Sequence, residues 1–497
     1  MDRYIIGIDQ STQGTKAMVF DENGRMLCRE DLRHRQIINE AGWVEHDPEE
    51  IWKNTLQVVK NAVNRADINM DKICAVGISN QRETVAAWNR ATGAPVCNAI
   101  VWQCARGEQI AERIKTGGAG EMIREKTGLP LSPYFSAAKM AWIMENVPEA
   151  KTLAAEGNLC LGTMDSYLVY RLTDGTRFQS DYSNSCRTQL FNIQTLSWDS
   201  DAAQIFGVPL QALPQVTPSD GDYGTTDFDG FLPHPVPICG VMGDSHAALF
   251  GQGCLTPGMI KATYGTGSSI MMNVGGQPVR SAHGVVSSLA WFMDGKAQYV
   301  LEGNINYTGA VISWLVDDLQ LIHSPGEATT LSQLANQKDH AYVVPAFTGL
   351  GAPYWDAKAS AAIIGMTRTT GRNEIVKAAV ECIAYQIADI VRLMEEDAEI
   401  PVSELRVDGG PTGNPYLMQF QADILSKQVL VPDAEELSGI GAAYCAGIAA
   451  GIYDRKEISG RIHRSCYHPQ MEETLRKEKL SGWDRAVKMV LSGGKCT

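Results

Sequence analysis

The N-terminal part of the chain alternates short apolar runs with turns, as β-strands do. Tyr4 to Asp9 is an apolar run that ends in a turn of Gly and Thr, and Ala17 to Phe20 predicts the returning strand. Glu22-Asn23-Gly24 marks the next turn, before a further strand from Arg25. The pattern predicts a β-meander whose first turn carries small polar side chains.

Helical and strand patterns alternate after this meander. Asp47 and Pro48 supply an N-cap and a first-turn proline for a helix with apolar residues at helical spacing. Lys72 to Ser79 and Thr84 to Trp88 return to strand character. This order predicts an α/β fold.

A second cycle begins near residue 250. Gly258 to Thr263, a turn from Tyr264 to Ser268, and Ile270 to Val274 repeat the strand, turn and strand of residues 4–20. A chain of 497 residues also exceeds one typical core. We therefore predict a weak internal duplication, with lobes at 1–252 and 253–497 and a cleft between them.

The second half contains clear helical patterns. They cover Ala310 to Leu319 and Asn373 to Glu396, and a strand, turn and helix follow over Leu405 to Leu425. Leu437 to Tyr453 is apolar but rich in Gly and Ala and short for a membrane span, so it predicts a buried helix.

Composition narrows the class of protein. Hydrophobic residues make up 44% and the formal net charge is -14, which argues against nucleic acid or an anionic membrane as a partner. ATP remains compatible, because Mg²⁺ and backbone dipoles can offset the charge locally. Twelve Cys without a C-x-x-C pair, and an N-terminus without a signal peptide, predict a cytoplasmic protein with reduced thiols.

The first turn has the chemistry of a phosphate site. Asp9 can be a Mg²⁺-linked carboxylate, while Thr12, Gln13 and Lys16 can donate to phosphate oxygens. The alternative is an ordinary hairpin in which Asp9 caps the turn. A parallel turn at Gly265-Thr266-Gly267 favours the phosphate site, because two such turns can face each other across a cleft.

A glycine-rich stretch from Arg406 to Asn414 lies between a predicted strand and a helix that opens near Pro415. Its glycines permit close approach of the backbone to an adenosine or α-phosphate, and a helix N-terminus favours an anion. A tight turn without a ligand is the alternative.

Two further stretches carry charges suited to a hydroxylated substrate. Arg82 and Glu83 follow a strand, and Asp244 follows another beside small residues, as an exposed catalytic carboxylate would. Side chains after such a strand can project into a cleft, and adjacent opposite charges rarely pair there, so Arg82 and Glu83 are expected not to pair with each other. The alternatives are a solvated strand end for these two residues and a helix N-cap at Asp244. Trp102 and Tyr134 suit either the core or a ligand platform.

Together these stretches predict a kinase for a small polyhydroxylated substrate. A nucleotide-switched binding protein is the rival from another class. The set of polar and aromatic residues at positions 82, 83, 102, 134 and 244 favours the kinase, because a chaperone cleft does not need it.

Several longer segments resemble a known family. Tyr134 to Trp142 and Ala361 to Glu381 are similar to the two signatures of the FGGY carbohydrate kinases, and Pro345 to Trp355 and Asp181 to Asn184 resemble segments of its glycerol kinases. The resemblance runs in order from Tyr4 to about Tyr453.

The resemblance implies an ATP- and Mg²⁺-dependent kinase with two lobes of the actin/hexokinase/Hsp70 (ribonuclease H-like) type. Each lobe is expected to be built on a mixed sheet, with an interlobe cleft. It implies that a terminal hydroxyl of a small polyol or sugar is phosphorylated, with Asp244 as general base. The implied polyol-binding residues are Arg82, Glu83, Trp102, Tyr134 and Asp244. The implied ATP contacts are Thr266, Gly309, Gly410 and Asn414, with the phosphate hairpin at Asp9, Gln10 and Thr12.

Two positions depart from the glycerol kinase pattern. Ser245 stands where those enzymes typically have Gln, and Ser269 where they typically have Phe. Glu302 to Tyr307 is also more polar than the usual segment. These changes keep a longer polyol, or a ketose as in xylulose-type kinases, open as the substrate. The oligomeric state, including a homo-oligomer, stays open as well.

Overall fold

The computed structural model describes residues 2–491. Its strands are β1 (Tyr4–Gln10), β2 (Gly14–Phe20), β3 (Met26–Arg33), β4 (Ile37–Ile38), β5 (Val44–His46), β6 (Ile73–Asn80), β7 (Val85–Asn89), β8 (Ala99–Ile100), β9 (Leu159–Thr163), β10 (Gln179–Asp181), β11 (Phe191–Asn192), β12 (Ser197–Trp198), β13 (Gln215–Thr217), β14 (Thr225–Thr226), β15 (Val236–Gly243), β16 (Ile260–Tyr264), β17 (Ser268–Gly275), β18 (Val286–Met293), β19 (Lys296–Ile305), β20 (Tyr342–Val344), β21 (Ala362–Ile364), β22 (Glu404–Asp408), β23 (Gln428–Pro432) and β24 (Arg464–Tyr467).

The helices agree with the predicted ones in order and approximate bounds. They are α1 (Pro48–Ala66), α2 (Glu108–Thr116), α3 (Gly120–Thr127), α4 (Ser136–Asn146), α5 (Pro148–Ala155), α6 (Met164–Leu172), α7 (Tyr182–Ser185), α8 (Ser200–Phe206), α9 (Asp244–Gly251), α10 (Gly309–Ser313, continued by a π-helical turn over Trp314–Asp318), α11 (Glu327–Leu334), α12 (Arg372–Ala398), α13 (Pro415–Leu425), α14 (Leu437–Ala449), α15 (Arg455–Ile458) and α16 (Glu473–Val490). Asp47 caps α1 as predicted, accepting a hydrogen bond from the Glu49 amide.

The first large sheet contains the predicted meander. It has six strands in the order β14-β15-β6-β1-β2-β3. Strand β1 is antiparallel to β2 and parallel to β6, and β6 is parallel to β15. The sheet is therefore mixed, and its three central parallel strands end on one edge.

The second large sheet repeats this plan. Its seven strands lie in the order β18-β19-β17-β16-β22-β23-β24. Strand β16 forms a hairpin with β17 and runs parallel to β22, as β1 does with β2 and β6. The duplicated hairpin predicted from the sequence is thus confirmed, and each half places one at the centre of its sheet.

The two halves share a hydrophobic core. Ile5 and Met242 of the first sheet belong to the same cluster as Met271 and Val300 of the second. Helices α9 and α14 contribute to this cluster too, and α14 packs on strands of the first sheet although it lies late in the chain. The predicted buried helix is confirmed, whereas the lobe boundaries at 252 and 253 stay a prediction.

Close packing of α14 depends on glycine. An added Cβ at Gly77 of β6 would lie 2.2 Å from the Ala442 carbonyl oxygen, and one at Gly441 would lie 1.8 Å from the Ala247 carbonyl oxygen of α9. Both distances are far below van der Waals contact.

Within residues 2–491, no helix combines the length and the apolar character that a membrane span requires.

We predict that Gly441→Ala lowers the free energy of unfolding by about 1–3 kcal/mol, the usual cost of overpacking, although alanine favours helices. Urea denaturation measures the change. Gly326→Ala is the control, because the nearest atom to its added Cβ is 3.9 Å away. Equal stability of Gly441→Ala and wild type would show that α9 and α14 are not in such close contact.

Candidate active site

The parallel strands of the first sheet bring the predicted substrate residues together. Gln10 of β1 pairs with Asn80 of β6, and Asn80 pairs with Gly243 of β15. The three strands therefore end in line, and Arg82 and Asp244 follow just beyond this edge. Ligands of α/β proteins commonly bind at the carboxyl ends of parallel strands.

Buried charges form a network at this edge. Both terminal nitrogens of Arg82 donate to the Glu302 carboxylate at 2.9 Å, and Arg187 Nη1 lies 2.9 Å from the same group. Arg187 Nε donates to Glu83 Oε1 at 2.8 Å. Arg82 Nε lies 3.3 Å from Asp244 Oδ1 and 3.8 Å from Glu83 Oε1. Two guanidinium groups thus hold three carboxylates in place.

The solvated strand end considered for Arg82 and Glu83 is wrong. Both residues are buried, with 4% and 2% of their surface exposed. The expectation that they do not pair with each other is also wrong, because Arg82 Nε lies 3.8 Å from Glu83 Oε1. Each also pairs with a partner distant in the chain, which no local pattern reveals. The helix N-cap considered for Asp244 is also wrong. Asp244 is the first residue of α9, and the N-cap of this helix is Gly243.

The charges of this network determine the ionisation of its carboxylates. Burial opposes ionisation of Glu302, but Arg187 and Arg82 outweigh it and hold its pKa well below the ordinary value. Burial raises the pKa of Asp244, and the charge of Arg82 only partly offsets this. The Asp244 side chain keeps 35% of its surface exposed. Asp244 is therefore the most exposed side chain of the network, with a pKa moved towards that of a general base.

Aromatic rings line the neighbouring surface. The rings of Trp102 and Tyr134 lie edge to face with centroids 5.5 Å apart. Trp102 Nε1 donates to Thr12 Oγ1 at 2.8 Å, which ties this surface to the first turn. Burial, with the nearby charge of Glu83, raises the pKa of Tyr134, so its phenol stays protonated. The ligand platform, rather than a purely core role, is thus favoured for both rings.

The first turn is closed by its own backbone. The Ser11 amide donates to the Gly14 carbonyl at 2.9 Å. Asp9, at the end of β1, is buried and accepts a hydrogen bond from Ser79 Oγ at 2.9 Å. Burial raises the pKa of Asp9 to about 6, and Lys16 acts in the opposite direction.

The remaining residues of this turn differ in their surroundings. Gln10 is buried and accepts from Gln81 Nε2 at 3.2 Å, whereas Gln13 is exposed. Lys16 forms an ion pair with Glu436, so its ammonium already has a carboxylate partner in this structure. A role of Lys16 in binding phosphate stays a prediction and would require that pair to open.

The nucleotide residues predicted in the second half gather around the second turn. The Gly309 amide donates to the Gly265 carbonyl at 2.9 Å, which places the start of α10 beside Thr266. Gly409 has a φ of +97°, and an added Cβ there would lie 2.0 Å from the Tyr264 carbonyl oxygen. Gly410 follows it directly. The glycine-rich stretch is thus packed against the second turn, as close backbone approach requires.

Asn414 begins the helix that follows. Its side chain accepts a hydrogen bond from the Leu417 amide at 3.1 Å and is the N-cap of α13. The helix starts at Pro415, as predicted. The amide nitrogen of the Asn414 side chain is not needed for this cap and can serve a ligand.

The two serines that depart from the family pattern have different surroundings. The Ser245 amide donates to Asp244 Oδ1 at 2.6 Å. Ser269 of β17 is in register with Thr263 of β16 and Asn304 of β19. Its hydroxyl oxygen is buried and has no hydrogen-bond partner within residues 2–491. A buried hydroxyl without a partner is costly, so a ligand group that donates to it or accepts from it would stabilise it.

Sequence reasoning missed the inner part of the network. Arg187 follows a short helix and has no periodic or motif signal, and Glu302 was noted only as part of a polar segment. A charged residue within an otherwise small or apolar stretch is the one available signal for each. Their pairing depends on the contact between the two halves.

A magnesium ion is implied by the proposed chemistry, and the residues are compatible with it. Mg²⁺ usually keeps several waters and binds one or two carboxylates together with nucleotide phosphates. Asp9 offers one buried carboxylate beside the first turn. Residues 2–491 contain no group of three or more His, Cys, Asp or Glu side chains that could hold a metal by themselves.

We predict that Glu302→Gln lowers the free energy of unfolding by about 3–5 kcal/mol, because it leaves two buried guanidinium groups short of a negative charge. Urea denaturation checks this value. Glu145→Gln is the control: it breaks an exposed pair with Arg113 and should change stability by at most about 1 kcal/mol. Similar losses in the two variants would contradict the network's buried character.

The sequence matches the FGGY family of carbohydrate kinases along most of its length. Residues 4–251 match the N-terminal domain of that family and residues 260–450 its C-terminal domain. The chain is 44% identical to a glycerol kinase of Desulfitobacterium hafniense, over 99% of this chain and 100% of the relative. It is 46% identical to glycerol kinase 1 of Thermotoga maritima, over 98% and 100%.

Solved structures agree with this match. The glycerol kinase of Plasmodium falciparum with ADP superimposes with a TM-score of 0.94 at 35% identity and covers 99% of this chain and 98% of that one. A xylulose kinase of Lactobacillus acidophilus gives a TM-score of 0.88 at 21% identity, over 99% of each chain, which supports the two-domain α/β fold alone. The chain therefore belongs to the FGGY family of carbohydrate kinases, whose members are ATP-dependent phosphotransferases, as the resemblance of its motifs indicated.

Proposed function

We propose that this kinase transfers the γ-phosphoryl group of ATP to a terminal hydroxyl of a small polyol, with Asp244 as general base. The observation that carries the proposal is the position of Asp244. Its partly exposed carboxylate lies against Arg82 at the common end of three parallel strands. Full-length relatives that are glycerol kinases support a three-carbon polyol as the reference substrate.

The charged and aromatic residues have complementary roles in binding the polyol. Arg82 and Glu83 can donate to and accept from neighbouring hydroxyls, and their fixed ion pairs keep them oriented before the substrate arrives. Trp102 and Tyr134 offer apolar ring surface to the carbon chain. A polyol has both kinds of surface, so it is recognised by both.

In the reaction, the Asp244 carboxylate accepts the proton of the terminal hydroxyl while the hydroxyl oxygen attacks the γ-phosphorus. The bond from the γ-phosphorus to the bridging oxygen breaks, and ADP leaves. The amides and hydroxyls of the turns around Thr12 and Thr266 stabilise the charge on the phosphoryl oxygens. Most of the acceleration is expected from this positioning and preorganised polarity.

Asp9 is the proposed magnesium ligand, and Thr266, Gly309, Gly410 and Asn414 the proposed ATP contacts. When bound with ATP, Mg²⁺ would offset phosphate charge next to the first turn. At the first turn, the Ser79 hydroxyl donates to the Asp9 carboxylate and fixes its orientation. At the second turn, the absence of a side chain at Gly409 lets the glycine-rich stretch approach closely. A cytoplasmic location belongs to the same proposal; all eleven cysteines in the described part of the chain are free thiols.

The length of the polyol is a separate question. Ser245 and Ser269 are small, and the unpartnered Ser269 hydroxyl lies in register with the exposed Asn304. A substrate longer than glycerol, with a hydroxyl at its fourth or fifth carbon, could satisfy that hydroxyl. We therefore keep a longer polyol or ketose as the second candidate. The direct experiment is a coupled ADP-release assay over glycerol, tetritols, pentitols and ketoses. No substrate-dependent release would refute the proposed function.

We predict that Asp244→Asn lowers kcat about 10²- to 10⁴-fold with the fold intact, because an amide cannot accept the hydroxyl proton. Steady-state kinetics with the best polyol gives the value. Asp222→Asn is the control, since it removes an exposed carboxylate paired with Arg177. A variant that keeps more than about a third of wild-type kcat would show that another group is the base.

We predict that Ser245→Gln combined with Ser269→Phe shifts preference towards glycerol by about 10- to 200-fold in kcat/KM. Gln can reach a hydroxyl that Ser leaves to water, and Phe fills the space that an additional carbon would need. The comparison is between glycerol and the best four- or five-carbon substrate, in wild type and double variant. If the wild type already prefers glycerol to every longer substrate, the two serines do not enlarge the pocket.

A further inference from the structure

Lys139 is a buried cation that the proposed reaction does not use. It lies in the second turn of α4 with 0% of its surface exposed. Its ammonium donates to the backbone carbonyls of Pro133 at 2.8 Å and Phe135 at 2.9 Å, and also to that of Tyr134. The Glu83 carboxylate is paired with Arg82 and Arg187.

Helix geometry explains how one side chain reaches three consecutive carbonyls. Side chains in an α-helix point towards its N-terminus, so Lys139 extends back over the first turn of α4 to residues 133–135. Lys139 is thereby linked to the Tyr134 backbone five residues before it. The carbonyl oxygens of the segment before the helix converge on a single cation.

This position is electrostatically unfavourable for a lysine. A positive charge near a helix N-terminus opposes the helix dipole, and burial adds a desolvation cost. Burial lowers the pKa of Lys139 to about 7, with Glu83 acting in the opposite direction. The three carbonyls therefore hold a cation that the surroundings otherwise disfavour. Simple stabilisation of α4 would be achieved at less cost by an apolar residue.

The segment that Lys139 holds also contacts the charged network. Ser136 Oγ donates to the Glu83 carbonyl at 3.3 Å, and the Ala137 amide donates to the Thr188 carbonyl at 2.8 Å. Residues 133–137 thus lie between the stretches that carry Glu83 and Arg187. Tyr134, at the centre of the segment, turns its ring to Trp102.

We propose that Lys139 is a positioning residue for the polyol: its ammonium fixes the backbone of residues 133–135 and thereby holds the Tyr134 ring against Trp102. The inference rests on the proposed function, since it assigns Tyr134 to the polyol side. Lys139 itself does not touch the substrate. It acts on substrate binding through one loop, and none of the three carbonyls that it binds belongs to the second turn, where the nucleotide residues gather.

The test separates binding of the polyol from binding of ATP. Lys139→Met removes the charge and all three donors at similar volume. We expect its KM for the polyol to rise at least 10-fold while its KM for ATP changes less than twofold. The polyol Kd from titration calorimetry without ATP should rise in parallel. The experiment uses the full chain and the best substrate from the ADP-release assay.

A matched control uses another lysine that binds backbone. Lys427 donates to the Val402 carbonyl at 2.7 Å and pairs with Glu395 at 2.9 Å. Lys427→Met should lower thermal stability without a change in either KM. If Lys139→Met and Lys427→Met both alter only stability, Lys139 has a structural role and the inference is wrong.

Three further outcomes are informative. Lys139→Gln keeps amide donors but no charge, and it should recover part of the polyol affinity lost in Lys139→Met. If neither variant folds, Lys139 is required for folding and the inference is overturned. If wild-type protein shows no polyol-dependent ADP release, the proposed function fails instead, and that result is independent of the variants.

Discussion

The buried network of Arg82, Glu83, Arg187 and Glu302 is the interaction on which the site depends. Glu302 belongs to the second sheet, whereas its guanidinium partners belong to the first half of the chain. Burying such charges is unfavourable unless each finds partners, and here the partners come from both halves of the chain. The orientation of Arg82 towards Asp244 therefore depends on the contact between the two halves.

The duplicated hairpins organise the two sheets around this network. Each sheet has a central hairpin with a parallel neighbour, and the first and second turns lie where the strands of these hairpins end. The shared core of α9, α14 and both sheets packs the two halves of the chain against each other. Glycines at the crossing of α14 allow that core to form, because any side chain there would collide with backbone.

Local features were predictable from the sequence, and long-range pairing was not. The cap at Asp47, the two hairpins and the helix at Pro415 follow from residue types within a few positions. The burial of Arg82 and Glu83 depends on Arg187 and Glu302, which are more than a hundred residues away. Local sequence could not distinguish a solvated pair from a buried one, since both have the same neighbours in the chain. The observed N-cap of α9, Gly243, lies one residue before Asp244, the N-cap considered from the sequence, and such a difference is typical of helix ends.

The role of the Asp244 edge as the polyol site can be tested most directly by a crystal structure of the protein with its best polyol and a non-hydrolysable ATP analogue. The account predicts the terminal hydroxyl oxygen within hydrogen-bond reach of the Asp244 carboxylate, about 2.6–3.2 Å, with neighbouring hydroxyls on Arg82 and Glu83. A polyol bound elsewhere, with Asp244 in contact only with solvent and Arg82, would contradict it.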